Sequence, residues 1–328
     1  MRVFAKLYAG KRDLQGSRYF MLPPDLLAQL APTAADPRPV LLALAGPTAV
    51  GKTALSVALA QHLGTEILSA DSRQFFRELS IGTAKPTPEE MQDVPHHFID
   101  SHSITQEYSA GRFAADALAV LDDLFRRLPV VVLTGGSGLY LQALTDGLDE
   151  LPAVDPAVRL GLQQELQTLG LPTLVAELAA TDPVAHERVD LQNHQRVLRA
   201  LEITRGTGRP FSSFHTGSAA AAEAAAARPF RVVKVALNRP REVLYDRINQ
   251  RVEAMLADGL LAEVEGLAPF RHHQALQTVG YQELFGYLDG AYDYAEAVRL
   301  LQRNTRHYAK RQLTWLRRDA GYQWVELA

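Results

Sequence analysis

The chain has 328 residues, 34 Lys and Arg against 37 Asp and Glu, a formal net charge of −3 and no cysteine. That length buries a full core in one large domain or two, the near-balanced charge excludes a globally basic nucleic-acid binder, and the missing thiols exclude disulfides and thiolate chemistry. No apolar run reaches the roughly 18 residues of a membrane span, and a start carrying Arg2, Lys6, Lys11, Arg12 and Asp13 without an apolar stretch is no signal peptide, so the expected setting is the cytoplasm, away from membranes.

Residues 1–38 read as an N-terminal extension, disordered or linker-like, ending in APTAADPRP; Met21 is a candidate start. PVLLALA (39–45) then has the length and apolarity of a buried strand. AGPTAVGKTAL follows it, and Gly46, Gly51, Lys52 and Thr53 fit G-x-x-x-x-G-K-[ST]. KTALSVALAQHL continues as a helix, with Leu55, Leu59 and Leu63 on one side and Gly64 as the stop. A strand, a glycine loop and a helix in that order make a phosphate cradle from Gly46, Pro47, Thr48, Ala49, Val50, Gly51, Lys52 and Thr53. The loop amides and the positive helix end meet phosphate oxygens, Lys52 adds a point charge, and the Thr53 hydroxyl suits Mg²⁺. A nucleotide such as ATP is the default occupant.

TEILSA (65–70) reads as a second strand. Asp71 just beyond it belongs at the carboxyl edge of the sheet, where ligands bind in open α/β folds. Its carboxylate can hold Mg²⁺ or take a proton from a nucleophile, or it can simply cap a helix. In IGTAKPT, Lys85 is a candidate to face the phosphates. His96 and His97 in VPHHFID are adjacent on a strand and point to opposite faces, so a packed or polar-network role is favoured over metal binding. From Ser109, a plausible N-cap, a helix is expected with Phe113, Leu118, Leu121 and Phe125 inward. PVVVLTGG (129–136) is a buried parallel strand that ends in glycines rather than Asp. Those glycines would let a ligand approach the backbone beside Ser137, or form a plain tight turn.

Between Gly147 and Pro229 only helical patterns appear, closing with the low-complexity SAAAAEAAAARP. FRVVKVALN (230–238) is a further strand. The expected fold is therefore α/β, a P-loop NTPase-like parallel sheet flanked by helices (39–147 plus 230–328) with an inserted all-helical domain (148–229). In the helix after the last strand, Arg247 and Arg251 stand at i, i+4. They either clamp a leaving diphosphate or pair with Asp246 and Glu253 on the surface. In RLLQRNTRHYAKRQLTWLRRD, a helical period puts Arg299, Arg303, Arg306, His307, Lys310, Arg311, Arg317 and Arg318 within roughly 140°. Leu301, Tyr308, Gln312, Trp315 and Leu316 fall opposite. A stripe of cations answered only by Asp319 suits a nucleic-acid backbone. Arg196, Arg199 and Arg205 add cations to the insertion.

GPTAVGKT, SADSRQFFRELSIGTAKPT, VPHHFID, TGGSGLYLQAL, DLQNHQRVLRALEI, RINQRVEAML, QTVGYQEL and NTRHYAKRQLTWLRR occur here in one order. In this the chain resembles the tRNA dimethylallyltransferase (tRNA isopentenyltransferase) family, of bacterial type, from about Val40 to Arg318. The resemblance implies transfer of a dimethylallyl group from dimethylallyl diphosphate to N6 of the adenosine 3′-adjacent to the tRNA anticodon. The loop would then hold a diphosphate leaving group, with Mg²⁺ as cofactor, in a monomer that binds the anticodon stem-loop. Asp71 matches the family's catalytic aspartate, acting with Lys52, Thr53, Arg247 and Arg251. The implied tRNA-binding set is Asp71, Ser72, Arg73, Gln74, Ser137, Arg159, Gln195, Arg196, Val197, Leu198, Arg199, Gln277, Gly280, Tyr281, Arg306, Lys310, Arg311 and Arg317. Ser137 stands where many members have Thr, and nothing corresponds to the zinc module of some eukaryotic members. A small-molecule kinase using ATP and a non-catalytic RNA-binding module are the alternatives.

Overall fold

Strand β1 (Val40–Ala45) is buried at every position. Leu41, Ala43 and Ala45 enter one core, and Val40, Leu42 and Leu44 enter another. A strand covered on both faces belongs inside a parallel sheet. The computed structural model, which describes residues 22–149, 151–215 and 226–327, shows a six-stranded sheet in the order β3-β2-β4-β1-β5-β6. Its other strands are β2 (Ile67–Ser69), β3 (His96–His97), β4 (Val130–Gly135), β5 (Arg231–Asn238) and β6 (Gln323–Glu326), and every pairing is parallel. Strand β6 carries no apolar run that would announce it in the sequence; it is short and half exposed.

Two compact units make up the chain, one from residues up to Thr145 and from Arg228 onward, the other Asp146–Ala227. In the first, α1 (Pro24–Ala28) corrects the expectation for residues 22–38: Leu22, Leu26 and Leu30 are buried in the core beside β1. The remainder of the expected extension, Met21 included, lies outside the described residues. Helix α2 (Lys52–Leu63) starts at Gly51 and stops at Gly64, both in the left-handed region that costs glycine nothing. Beyond α3 (Pro88–Met91), α4 (Ala110–Leu124) is capped by Ser109, which accepts the Arg112 amide. It buries Phe113, Ala117, Leu121 and Leu124, whereas Leu118 is 37% exposed. Leu118 is five residues from Phe113, about 140° around the helix at roughly 100° per residue, so it cannot share the inner face. Helix α5 (Gly138–Thr145) follows β4.

The second unit is helical among its described residues: α6 (Pro156–Leu169), α7 (Leu171–Thr181), α8 (Pro183–Arg188) and α9 (His194–Thr207). They pack around Leu162, Leu174, Leu178, Val197, Leu198 and Leu201. Asp155, Asp182 and Asn193 cap three of the four helices. Most of the low-complexity segment expected as its exit, residues 216–225, lies outside the described residues. The first unit then continues through α10 (Arg241–Ala257), α11 (Leu260–Gly266), α12 (Gln282–Leu288) and α13 (Tyr294–Leu316). Among the described residues no helix is long and apolar enough to cross a membrane.

Candidate active site

The loop from Gly46 to Thr53 leaves the carboxyl end of β1 and runs into the N-terminus of α2. Its bend is forced by close neighbours. A Cβ on Gly46 would stand 3.0 Å from the Leu237 carbonyl oxygen, Gly51 has φ 110°, and Ala49 is held at φ 63°. Side chains fasten the loop's outward groups. Arg239 Nε donates to the Val50 carbonyl at 2.9 Å, and Arg247 Nε donates to that of Ala49 at 2.8 Å. Lys52 Nζ donates to the Pro47 carbonyl at 2.8 Å. The Thr48 amide donates to Gln312 Oε1 at 2.9 Å.

Beside this loop lies a cavity of about 240 Å³. Thr48, Lys52, Thr53, Asp71, Arg73 and Arg251 give it polar walls, while Ile248, Val252, Met255, Val279 and Leu301 make it apolar elsewhere. Burial pushes the Lys52 ammonium down to about 8, against the pull of Asp71, with Arg251 adding to the depression. Burial also lowers Arg251, with Glu90 and Asp71 opposing the shift. The expected arginine pair is thus divided: Arg251 lines the cavity, and Arg247 braces the phosphate loop from outside.

No helix starts at Asp71, so it caps none; it holds a turn and lines the cavity. Its Oδ1 accepts the amides of Arg73 at 3.0 Å and Gln74 at 3.4 Å, while the residue lines the cavity with Lys52. Ser72 and Arg73 line the same space, and Arg73 Nε is buried without a hydrogen-bond partner. Gln74 spends its amide on its own surroundings, donating to the carbonyls of Thr83 and Ala84. Ser137 Oγ accepts the Ser72 amide at 2.9 Å and donates to Ser72 Oγ, so it supports the Asp71–Ser72 turn. Lys85 does not face the phosphates: its ammonium bonds the Phe76 carbonyl and Asp100. His96 Nδ1 lies 2.8 Å from the Val94 carbonyl oxygen, and His97 Nε2 lies 2.7 Å from Glu66.

The glycines after β4 answer to protein neighbours. Thr134 and Gly135 line the cavity, but a Cβ on Gly135 would sit 2.4 Å from the Ala70 carbonyl oxygen. On Gly136 it would sit 2.3 Å from Gln312 Nε2, and on Gly138 2.3 Å from Trp315. These glycines admit β2 and α13 rather than serving only a ligand.

Three residues expected at the tRNA are core instead. Val197 and Leu198 are 0% and 1% exposed inside the helical unit, and Tyr281 is 0% exposed with its hydroxyl on Glu263. In HQRVLR the helical period turns Gln195 and Arg196 outward and Val197 and Leu198 inward. Arg159 and Arg199 are half-buried, both donating to Glu202, and Arg159 also reaches Gln195. Gly280 lines the cavity, while Gln277 bonds the Arg271 carbonyl away from it. On α13, Lys310 and Arg311 are exposed as the period predicts, and so is Arg317 at its C-cap. Arg306 is half-buried, donating to Asn249 at 2.6 Å. Sequence reasoning missed Arg239, Gln312, Glu263 and the cavity role of Tyr308. A polar residue on the buried face of an otherwise amphipathic helix was the available signal for Gln312.

Thr53 and Asp71 offer oxygen atoms of the kind Mg²⁺ takes, with room for a ligand's own oxygens between them. Among the described residues no group of three or more His, Cys, Asp or Glu side chains could hold a metal alone.

A parallel sheet whose central strand delivers a glycine loop, a lysine and a helix N-terminus to an acid-bearing cavity defines a phosphate-binding α/β enzyme of the P-loop kind. The family model described as IPP transferase matches residues 74–319, and the chain belongs to that family. It is 50% identical over 284 residues to a tRNA dimethylallyltransferase of Cytophaga hutchinsonii, covering 87% of this chain and 91% of that one. It is 49% identical to tRNA dimethylallyltransferase 1 of Porphyromonas gingivalis, covering 87% and 93%. Among solved structures it is similar to the tRNA isopentenylpyrophosphate transferase of Bacillus halodurans, with TM-score 0.63, 38% identity and coverage of 88% and 90%. A eukaryotic dimethylallyltransferase acting on tRNA, 24% identical with TM-score 0.71 and coverage of 88% and 74%, shares the fold. None of these relatives is a kinase.

Proposed function

We propose that the protein transfers the dimethylallyl group of dimethylallyl diphosphate to N6 of the adenosine 3′-adjacent to the anticodon in tRNA, releasing diphosphate. The observation that carries this reading is one cavity lined by Thr48, Lys52, Thr53, Asp71 and Arg251, with an apolar lining of Ile248, Val252, Met255 and Leu301. Phosphate-holding groups beside apolar surface suit a diphosphate whose reacting end is carbon.

The chemistry follows from charge. As the allylic C–O bond breaks, its electron pair leaves with the diphosphate, and Lys52, Arg251 and the α2 N-terminus stabilise that growing negative charge. The adenine amine is a weak nucleophile because its lone pair is delocalised into the ring. Its nitrogen forms the new N–C bond and its proton passes to Asp71. Mg²⁺ held by Thr53 and diphosphate oxygens would supply further charge neutralisation. The target base must leave its stack to enter the cavity, where Ser72 and Arg73 would meet it. The exposed Lys310, Arg311 and Arg317 would take the RNA backbone, as would Arg196 in the helical unit. The enzyme would act as a monomer in the cytoplasm.

The test is to incubate the protein with dimethylallyl diphosphate, Mg²⁺ and unmodified tRNA, digest the RNA and weigh the nucleosides. Adenosine heavier by one dimethylallyl group is the expected product. Phosphate transfer from ATP to a small acceptor, with no change in the RNA, would overturn the reading.

A further inference from the structure

The peptide unit joining Pro47 to Thr48 is held at both ends. Its carbonyl accepts Lys52 Nζ at 2.8 Å, and its N–H donates to Gln312 Oε1 at 2.9 Å. The second function of the Gln312 amide, Nε2, donates to the Gly136 carbonyl at 2.9 Å. The two loops so bridged leave neighbouring strands, β1 and β4, just beyond the paired Ala45 and Gly135. Gln312 is 7% exposed, and its bond to Gly136 is buried from competing water. Its approach depends on Gly136, where any Cβ would stand 2.3 Å from Nε2.

Rotation of the Pro47–Thr48 peptide would carry away the carbonyl on which Lys52 rests. We propose that Gln312 is a positioning residue for the diphosphate: it fixes that peptide plane, thereby aiming Lys52, and keeps the phosphate loop in register with the Gly135–Gly136 segment. The inference rests on the transferase reading for its substrate. It deepens that reading by assigning a residue on the buried face of α13 to the diphosphate half of the site. The cost of losing Gln312 is expected on diphosphate binding, because the RNA-facing cations project from the other side of that helix.

The experiment uses the full chain with Gln312→Met, which keeps length and removes both bonds, and Gly136→Ala, which leaves Gln312 intact but pushes its amide aside. Thermal melts fix a temperature at which each is folded. Calorimetry with inorganic diphosphate, and steady-state transfer with each substrate varied, are then compared with wild type. Both variants should bind diphosphate roughly tenfold more weakly, the expected scale for losing buried hydrogen bonds. KM for dimethylallyl diphosphate should rise while KM for tRNA stays constant. Diphosphate affinity at the wild-type level in Gln312→Met, or an equal rise in both KM values, would overturn the assignment. A wild-type protein that binds diphosphate yet modifies no tRNA would overturn the functional reading, and calorimetry alone would then judge Gln312.

Discussion

Tyr281 donates its hydroxyl to Glu263 Oε1 at 2.7 Å, and the same carboxylate accepts the backbone amides of Ser80, Ile81 and Gly82. Four donors converge on one side chain, and the turn they hold continues into Thr83 and Ala84 on the cavity wall. Glu263→Ala should therefore destabilise the fold by about 3 kcal/mol, since it orphans several donors, and Tyr281→Phe by about 1 kcal/mol. Chemical denaturation checks both. A Glu263→Ala midpoint equal to wild type would show that the turn is held by other means.

Asp71→Asn keeps an oxygen for the Arg73 and Gln74 amides but cannot accept a proton as a carboxylate does. Transfer should fall by roughly 10² to 10⁴, the usual range for a lost general base, while tRNA affinity changes little. Asp71→Ala should lose transfer to the same degree and add a modest loss of stability, because the Arg73 and Gln74 amides lose their acceptor. Single-turnover transfer and filter binding separate the two effects; near wild-type turnover in Asp71→Asn would sink the base assignment.

With its ammonium pushed down to about 8 by burial, Lys52 begins to lose charge at mildly alkaline pH in the unliganded protein. Diphosphate favours the charged form and raises the value on binding. Affinity should be complete below pH 8 and decline as pH rises through 8, with proton uptake on binding in that window. Calorimetry in buffers of different ionisation enthalpy reads that uptake directly. Lys52→Arg, which stays charged, should abolish the decline; persistence of the same decline would assign the proton to another group.

The exposed and half-buried cations make separable predictions. Each phosphate that a side chain neutralises adds roughly 0.7 to the salt slope of single-strand RNA binding, so Lys310→Gln with Arg317→Gln should flatten the slope for tRNA by about that amount per residue. Arg196→Ala should weaken tRNA and spare diphosphate. Arg199→Ala and Arg306→Ala should act mainly on stability, because Glu202 and Asn249 would be left without these donors. An unchanged salt slope in the Lys310 and Arg317 variant would mean that this stretch of α13 faces only solvent.

Those assignments divide along a physical line. The sequence by itself determined the buried strands β1 and β4, since strands covered on both faces are continuous apolar runs, and β5 from an apolar stretch interrupted by Lys234. It determined the phosphate loop, whose glycines, Lys52 and Thr53 are local in the chain, and the face of α13 that carries its cations, since helical period is local too. What lies across from a buried face is not local. Gln312 meets partners 264 and 176 residues away, and no periodic pattern encodes that pairing. For the same reason only the tertiary structure separated Arg251 from Arg247, sent Tyr281 to the core, and showed that Gly136 and Gly138 make room for Gln312 and Trp315. A side chain's type and spacing limit what it can do, but its partner is set by which distant segment the packed core brings within hydrogen-bond reach.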